Sequence, residues 1–361
     1  MKPSLLLSLL FSCFHLCYCA QSYDAIFSFG DSLSDAGNLI VKNPSLYLTA
    51  KWPYGMTFFH KPTGRCSDGR LFIDFLAEAF GLPLPPPSLK PGQDFRRGAN
   101  FATTGGTVLD YSFFQRRGIA KSIFTNGSLD TQISWFEHMK PSLCGTPQAC
   151  KNYVGKSLFV VGEFGGNDYS AFLFSGRSMA EVRANAPKIV NGIVKGLERL
   201  IGNGAVDLVV PGILPIGCFP LYLQLYKSNN KNDYNRFGCL TKYNRVAFYH
   251  NQVLKMKLRY LQQRYPQTRI MYADFYNAAM HFVMNPLKYG FTNGALKACC
   301  GGGGPYNVNL DRRCGQKGSN VCQNPSTFAS WDGIHFTEAA NRYIATGLLR
   351  GPYANPPIMS S

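Results

Sequence analysis

The stretch FSFGDSLSDAGN, residues 27–38, continues an apolar Ala25-Ile26 and turns abruptly polar after Phe29. AIFSF reads as a buried strand, and the Gly-Asp-Ser-Leu-Ser-Asp run behind it carries one apolar side chain, Leu33. Gly, Asp and Ser are turn formers, so a plain reverse turn is one reading. The other is a serine presented at a strand tip with its backbone N–H aimed outward. The rest of the chain decides between them.

Working outward, apolar runs alternate with helical patterns. Strands are expected at 23–29, 99–102, 157–161, 205–210 and 268–272. Helices are expected at 71–80, 179–201, 234–265 and 337–349, the third because Leu240, Tyr243, Ala247, Leu254, Leu258 and Leu261 recur at helical spacing. Parallel strands need crossovers, and helices supply them, so this alternation predicts an α/β fold with a central, mainly parallel sheet covered on both faces. Ligands of such sheets bind at the carboxyl ends of the strands. Three polar or Gly-rich turns fall on that rim: the opening stretch, EFGGND (163–168) and PGILPIG (211–217). LPLPPPSLKPG (82–92) is a rigid loop too short to divide domains, so residues 21–361 are expected to form one domain.

Residues 1–20 stand apart. Lys2, the apolar LLLSLLFSCFHL and the small residues of CYCA read as a secretory signal peptide, too short for a membrane anchor. The expected product is a secreted protein, extracellular or in the cell wall, with no transmembrane segment. Of twelve cysteines, Cys13, Cys17 and Cys19 lie in this leader. The remainder is odd in number, so at least one is expected to be free or paired outside the chain. No CxxC pair or neighbouring histidine favours zinc, and export favours disulfides. Cys144 and Cys150 enclose a loop short enough for local pairing, while Cys299, Cys300, Cys314 and Cys322 crowd one segment. Asn126-Gly127-Ser128 is a candidate glycosylation site. The 37 basic against 20 acidic residues give a formal charge of +17. Secretion argues against nucleic acid as a partner, and the charge suits an acidic polymer or anionic surface, or simply a solvated basic surface.

Standard motifs are missing. GDSLS lacks the second glycine of G-x-S-x-G, and no P-loop, HExxH or calcium loop is present. A serine nucleophile needs a base. His250 and His281 sit among apolar helical neighbours, and His60 and His138 lack a well-placed acid. In WDGIH, Asp332 stands three residues before His335, where its carboxylate can accept the imidazole N–H and leave the other nitrogen as base. The Ser32 N–H, Gly105 in ATTGGT and Asn167 in GGND could serve as donors to an oxyanion.

GDSLSDAGN, GANFATTGG, GGND and WDGIH, in this order, resemble the four blocks of the GDSL (SGNH-hydrolase) esterase/lipase family, most closely its plant secreted branch. KWPYGMTFFHKPTGRCSDGRLFIDFLAE, VVPGILPIGCFP and ACCGGGGPYN extend the resemblance over nearly the whole chain. It implies a three-layer α/β/α sandwich of flavodoxin-like type. It also implies Ser32 as nucleophile, Asp332 and His335 as its partners, and Ser32, Gly105 and Asn167 as the oxyanion hole. TTGG stands where many relatives carry Ser-Gly-Gly, so the assignment of Gly105 rather than Gly106 rests on this alignment. The expected activity is hydrolysis of carboxylic esters through an acyl-enzyme by a monomer needing no cofactor and no metal. Acetyl or hydroxycinnamoyl esters of cell-wall polysaccharides or small glycosides are the expected substrates, and no long apolar lid helix argues for long acyl chains. A lipase and an acyltransferase using the same acyl-enzyme are the alternatives. A binding protein without turnover is disfavoured, because all four blocks keep their reactive residues.

Overall fold

The computed structural model describes residues 22–41 and 44–359, so the leader expected at 1–20 lies outside it. Six strands form one sheet: β1 (Ala25–Phe29), β2 (Gly98–Asn100), β3 (Ser157–Val161), β4 (Asp207–Pro211), β5 (Arg269–Ala273) and, after the small hairpin of β6 (Cys300–Gly301) and β7 (Asn320–Val321), β8 (Ala354–Asn355). The order is β2-β1-β3-β4-β5-β8, parallel except for β8, which pairs antiparallel with β5. The connecting helices are α1 (Phe72–Ala79), α2 (Tyr111–Arg116), α3 (Leu129–Cys144), α4 (Pro147–Gly155), α5 (Gly166–Phe174), α6 (Met179–Ala184), α7 (Ala186–Gly202), α8 (Pro220–Leu225), α9 (Thr241–Arg264), α10 (Phe275–Met284) and α11 (Glu338–Arg350).

Successive strand side chains point to opposite faces, and β1 shows the consequence. Ala25, Phe27 and Phe29 join one core with Phe136 of α3, Leu197 of α7 and Leu254 of α9. Ile26 joins the other core with Leu158, Val160 and Met271, against Leu76 of α1, Phe282 of α10 and Ile344 of α11. Three layers, α/β/α, follow. Phe29 stacks on Phe101 at 5.1 Å, and Phe27 meets Phe136 edge-on at 5.2 Å, geometries that aromatic quadrupoles favour.

Three elements differ from expectation. The helix expected over 179–201 is interrupted at Asn185 between α6 and α7, where Pro187 has no N–H to continue the ladder and Asn185 Nδ2 donates to the Glu181 carbonyl at 2.8 Å. The helix expected from 234 starts at Thr241, because the Cys218–Cys239 disulfide and a Tyr234–Leu240 bridge hold the preceding residues in a turn. GGND, read as a rim turn, is the first turn of α5, capped by Glu163, whose Oε1 accepts the Gly166 N–H at 3.0 Å.

Among the described residues the cysteines pair 144–150, 218–239, 299–322 and 300–314, leaving Cys66 buried and without a disulfide. Arg65, just before it, grips Asp74 of α1 with two bonds of 2.8 Å, both side chains buried, and so pins residues 62–70 beside the sheet. Breaking one partner of such a buried pair typically costs about 3–5 kcal/mol.

Candidate active site

With strand order 2-1-3-4-5, the chain reverses its winding between β1 and β3, and that gap at the strands' carboxyl ends is where such sheets bind ligands. The GDS turn leaves β1 at this point. Gly30 has φ of 151°, and a Cβ there would meet the Gly162 carbonyl oxygen at 2.9 Å, so only glycine fits. Gln132 of α3 holds the turn from both sides: its Oε1 accepts the Gly30 N–H at 2.9 Å and its Nε2 donates to the Gly30 carbonyl at 2.8 Å. The Asp31 carbonyl accepts from Ser34 and Asp35 N–H, which folds the chain back and leaves Ser32 at the bend, 8% exposed. Asp35 and Asn38 brace the following turn. Asp35 accepts from the N–H groups of Gly37, Asn38 and Thr104, and Asn38 Nδ2 donates to the carbonyls of Asn100 and Ala102.

The second arm comes from the far end of the chain. Ser330 and Trp331 carbonyls accept from Cys299 and Cys300 N–H, so the loop before α11 is laced to β6 next to two disulfides. This brings His335 across to Ser32. Its Nε2 lies 2.8 Å from Ser32 Oγ, and its Nδ1 lies 2.7 and 2.9 Å from the two Asp332 oxygens. Since Asp332 can only accept, Nδ1 carries the proton and Nε2 accepts from the serine hydroxyl. Tyr54 O–H donates to Asp332 Oδ2 at 2.8 Å. Burial by itself disfavours the imidazolium, but the Asp332 carboxylate outweighs it and holds the His335 pKa well above the ordinary histidine value. Burial pushes Asp332 up, and His335 with its hydrogen bonds pulls it below the usual carboxylate range.

Gly105 and Asn167 both reach this cavity wall. Gly106 N–H is bonded to the Thr103 carbonyl at 2.8 Å, whereas among the described residues nothing accepts from Gly105 or Ser32 N–H. Gly105, at φ 81°, also abuts Phe124: a Cβ there would lie 2.7 Å from the Phe124 Cβ. Asn167 is differently engaged. Its Nδ2 donates to Asp31 Oδ2 at 2.8 Å and to the Gly106 carbonyl at 3.1 Å, so one hydrogen must be redirected before it can face an oxyanion.

Ser32 and His335 open into a cavity of about 840 Å³. Its walls are largely apolar and aromatic, among them Tyr47, Phe124, Phe174, Leu225, Tyr226 and Leu310. A volume of this order suits a drug-sized organic molecule.

Sequence reasoning missed Tyr54, Cys66 and Glu163. No local pattern marks Tyr54 or Cys66: Cys66 arrives on the segment that Arg65–Asp74 pins, Tyr54 on the preceding turn, whose Gly55 N–H donates to the Ser67 carbonyl at 3.0 Å, and both line the same cavity. Glu163 was quoted within EFGGND without a role. Burial raises its pKa well above the usual range, and Asp31, pushed up by burial to about 6, lies beside it. The other histidines lie elsewhere, His250 bonded to Tyr169 O–H, His281 to Tyr353 O–H and His138 to the Ser134 carbonyl. Asn126 is exposed in the loop before α3 and does not line the cavity.

Residues 26–348 match the GDSL-like Lipase/Acylhydrolase family. Two GDSL esterase/lipases of Arabidopsis thaliana are 50% and 45% identical, over 92% and 93% of this chain and 92% and 86% of their own length. A sinapine esterase of Brassica napus is 44% identical over 93% of this chain and 87% of its own.

Proposed function

The chain belongs to the GDSL-like lipase/acylhydrolase family and is an ester-hydrolysing enzyme, and from that premise we propose that it works through a Ser32 acyl-enzyme on acetyl or hydroxycinnamoyl esters. The observation that carries this is the unbroken chain of hydrogen bonds Tyr54–Asp332–His335–Ser32, ending at the wall of an apolar, aromatic-lined cavity. His335 Nε2 takes the Ser32 proton as Oγ attacks the ester carbonyl, and Asp332 holds the imidazole in the tautomer that allows it. The carbonyl electrons move onto oxygen, and the N–H groups of Ser32 and Gly105, joined by the Asn167 amide, stabilise the negative charge there. As the tetrahedral adduct collapses, His335 passes its proton to the departing alcohol oxygen and the acyl group stays on Oγ. Water, deprotonated by the same imidazole, then attacks the acyl-enzyme, and as the acyl–Oγ bond breaks the imidazolium returns that proton to Ser32 Oγ, releasing the acid.

The aromatic walls favour a hydroxycinnamoyl ring, and the sinapine esterase relative supports that acyl class. Labelling with a fluorophosphonate, followed by an ester panel from p-nitrophenyl acetate to palmitate with feruloyl esters, acetylated xylan and pectin, tests the proposal. Wild type should be labelled at Ser32 and should cleave acetyl and feruloyl esters best. No labelling would remove the serine mechanism, and fastest cleavage of palmitate would identify a lipase instead.

We propose further that the protein is a secreted monomer of the extracellular space or cell wall and carries a glycan at the exposed Asn126. Among the described residues no helix is long and apolar enough to cross a membrane. Glycosidase treatment should lower the mass of the plant-expressed protein by one glycan, and Asn126→Gln should remove that shift; a shift that persists in the variant would exclude this site.

A further inference from the structure

The cavity that receives the ester has one feature that its apolar walls do not explain. Arg313 is the only Lys or Arg lining it among the described residues, and Asp332 is the only carboxylate. Asp332 is engaged by His335 and Tyr54, which leaves it unavailable to an incoming cation. The Arg313 backbone N–H donates to Gln316 Oε1 at 2.7 Å, but its exposed guanidinium has no ion pair, ring contact or hydrogen bond with any described residue. Neither Asp311 nor Arg312 lines the cavity. A lone guanidinium at the edge of a largely apolar cavity is a planar, two-pronged donor suited to a carboxylate and repels cations.

Its position says which half of an ester it would meet. Cys314, the next residue, is tied to Cys300, and Cys300 N–H donates to the Trp331 carbonyl at 2.7 Å, one residue before Asp332. Arg313 therefore stands on the part of the cavity wall that Cys314 and Asp332 line. Burial pushes the Tyr54 phenol up, and the Arg313 charge opposes that push, which sets the two within electrostatic reach. His335 must hand its proton to the leaving oxygen, so the alcohol half departs on this same side.

We infer that Arg313 selects esters whose alcohol half carries a carboxylate, such as acylated sugar acids or hydroxy acids, over neutral and cationic ones. The inference rests on the esterase reading of the site above.

Three acetyl esters with a common aryl frame test it: para-acetoxybenzoate, its methyl ester and para-acetoxyphenyl-trimethylammonium. The readout is kcat/KM of wild type against Arg313→Gln for each. Comparing enzymes ester by ester cancels the intrinsic reactivity of the leaving groups. The variant should lower the carboxylate-to-methyl-ester ratio about tenfold, as for one charge-assisted contact at a part-solvated rim, and should raise the ratio for the cation. Arg313→Lys should keep the wild-type direction of preference, and raising salt from about 0.05 to about 0.5 M should narrow it. Melting temperatures of the variants report on folding.

An equal effect of Arg313→Gln on all three esters would overturn the inference. So would a charge preference that appears only with a carboxylate on the acyl half, read with p-nitrophenyl hydrogen succinate against its methyl ester. A wild type that cleaves none of these esters would overturn the esterase reading and this inference together, a result distinct from ester cleavage without charge dependence.

Discussion

Ser32 and His335 are 303 positions apart in sequence, and the proposed mechanism rests on their 2.8 Å contact. Members of such a unit fail together, so Ser32→Ala or His335→Ala is expected to lower kcat about 10⁴–10⁶-fold. Asp332→Asn removes the acceptor for Nδ1–H and is expected to cost about 10²–10⁴-fold, somewhat less than either. Steady-state hydrolysis of p-nitrophenyl acetate checks all three, and Ser32→Ala keeping most of its rate would sink the mechanism. The pH profile has a definite sign. Only neutral His335 can accept the serine proton, and Asp332 holds its pKa well above the usual value. Activity should therefore rise with pH through that elevated midpoint, and Asp332→Asn should move the midpoint downward.

At the scale of elements, the loop between β6 and α11 delivers Asp332 and His335 and has little regular structure of its own. Two disulfides enclose sequence separations of 23 and 14 residues within it. Each is expected to add about 3 kcal/mol, chiefly by limiting the unfolded chain. Because Cys299 and Cys300 N–H donate to the Ser330 and Trp331 carbonyls of this loop, reduction should loosen the arm that carries Asp332 and His335 as well as the fold. Reductant is expected to lower both the melting temperature and the activity while leaving Ser32 unmodified. Peptide mapping without reduction should find pairs 144–150, 218–239, 299–322 and 300–314, with Cys66 as the free thiol. Finding these cysteines all as free thiols would overturn the prediction and weaken the case for export.

Taken whole, the molecule buries several acids behind its site. Burial pushes Asp31 and Asp68 up to about 6 and Asp168 to about 7, and raises Asp35 and Glu163 as well. An unfolded carboxyl titrates near pH ~4. Between that value and the folded pKa the native state holds more protons than the unfolded chain, so these acids lose stability as pH rises through the window. His335, raised, acts in the same direction above about pH 6.5. His250 opposes them: burial lowers it to about 3, so its contribution falls as pH drops below about 6.5. Several groups against one predict a higher melting temperature at about pH 5.5 than at about pH 7.5. Calorimetry at the two values decides, and a lower melting point at the acidic value would show that these acids do not carry raised pKa values. Stability then peaks on the acid side while catalysis prefers the alkaline side.

What the sequence determined by itself was local. The nearly continuous apolar run at 25–29 marked a buried strand, the Gly-led break after Phe29 marked the turn at Ser32, and the three-residue spacing of Asp332 and His335 put a carboxylate beside the imidazole. Such features are set by backbone geometry over a few residues, so they survive without the rest of the chain. The choice of Gly105 over Gly106 came instead from the family resemblance; the Gly106 N–H is bonded to the Thr103 carbonyl. The tertiary structure alone decided that Tyr54 reaches Asp332, that Cys66 is the unpaired thiol, that Asn167 rests on Asp31, and that Arg313 stands unpaired beside the cavity. Each of these depends on where distant segments are pinned, by Arg65 on Asp74, by β6 under the Asp332 loop, and by the winding reversal between β1 and β3. No periodicity records that, since contacts between remote segments are selected by packing of the whole core rather than by the residues that meet.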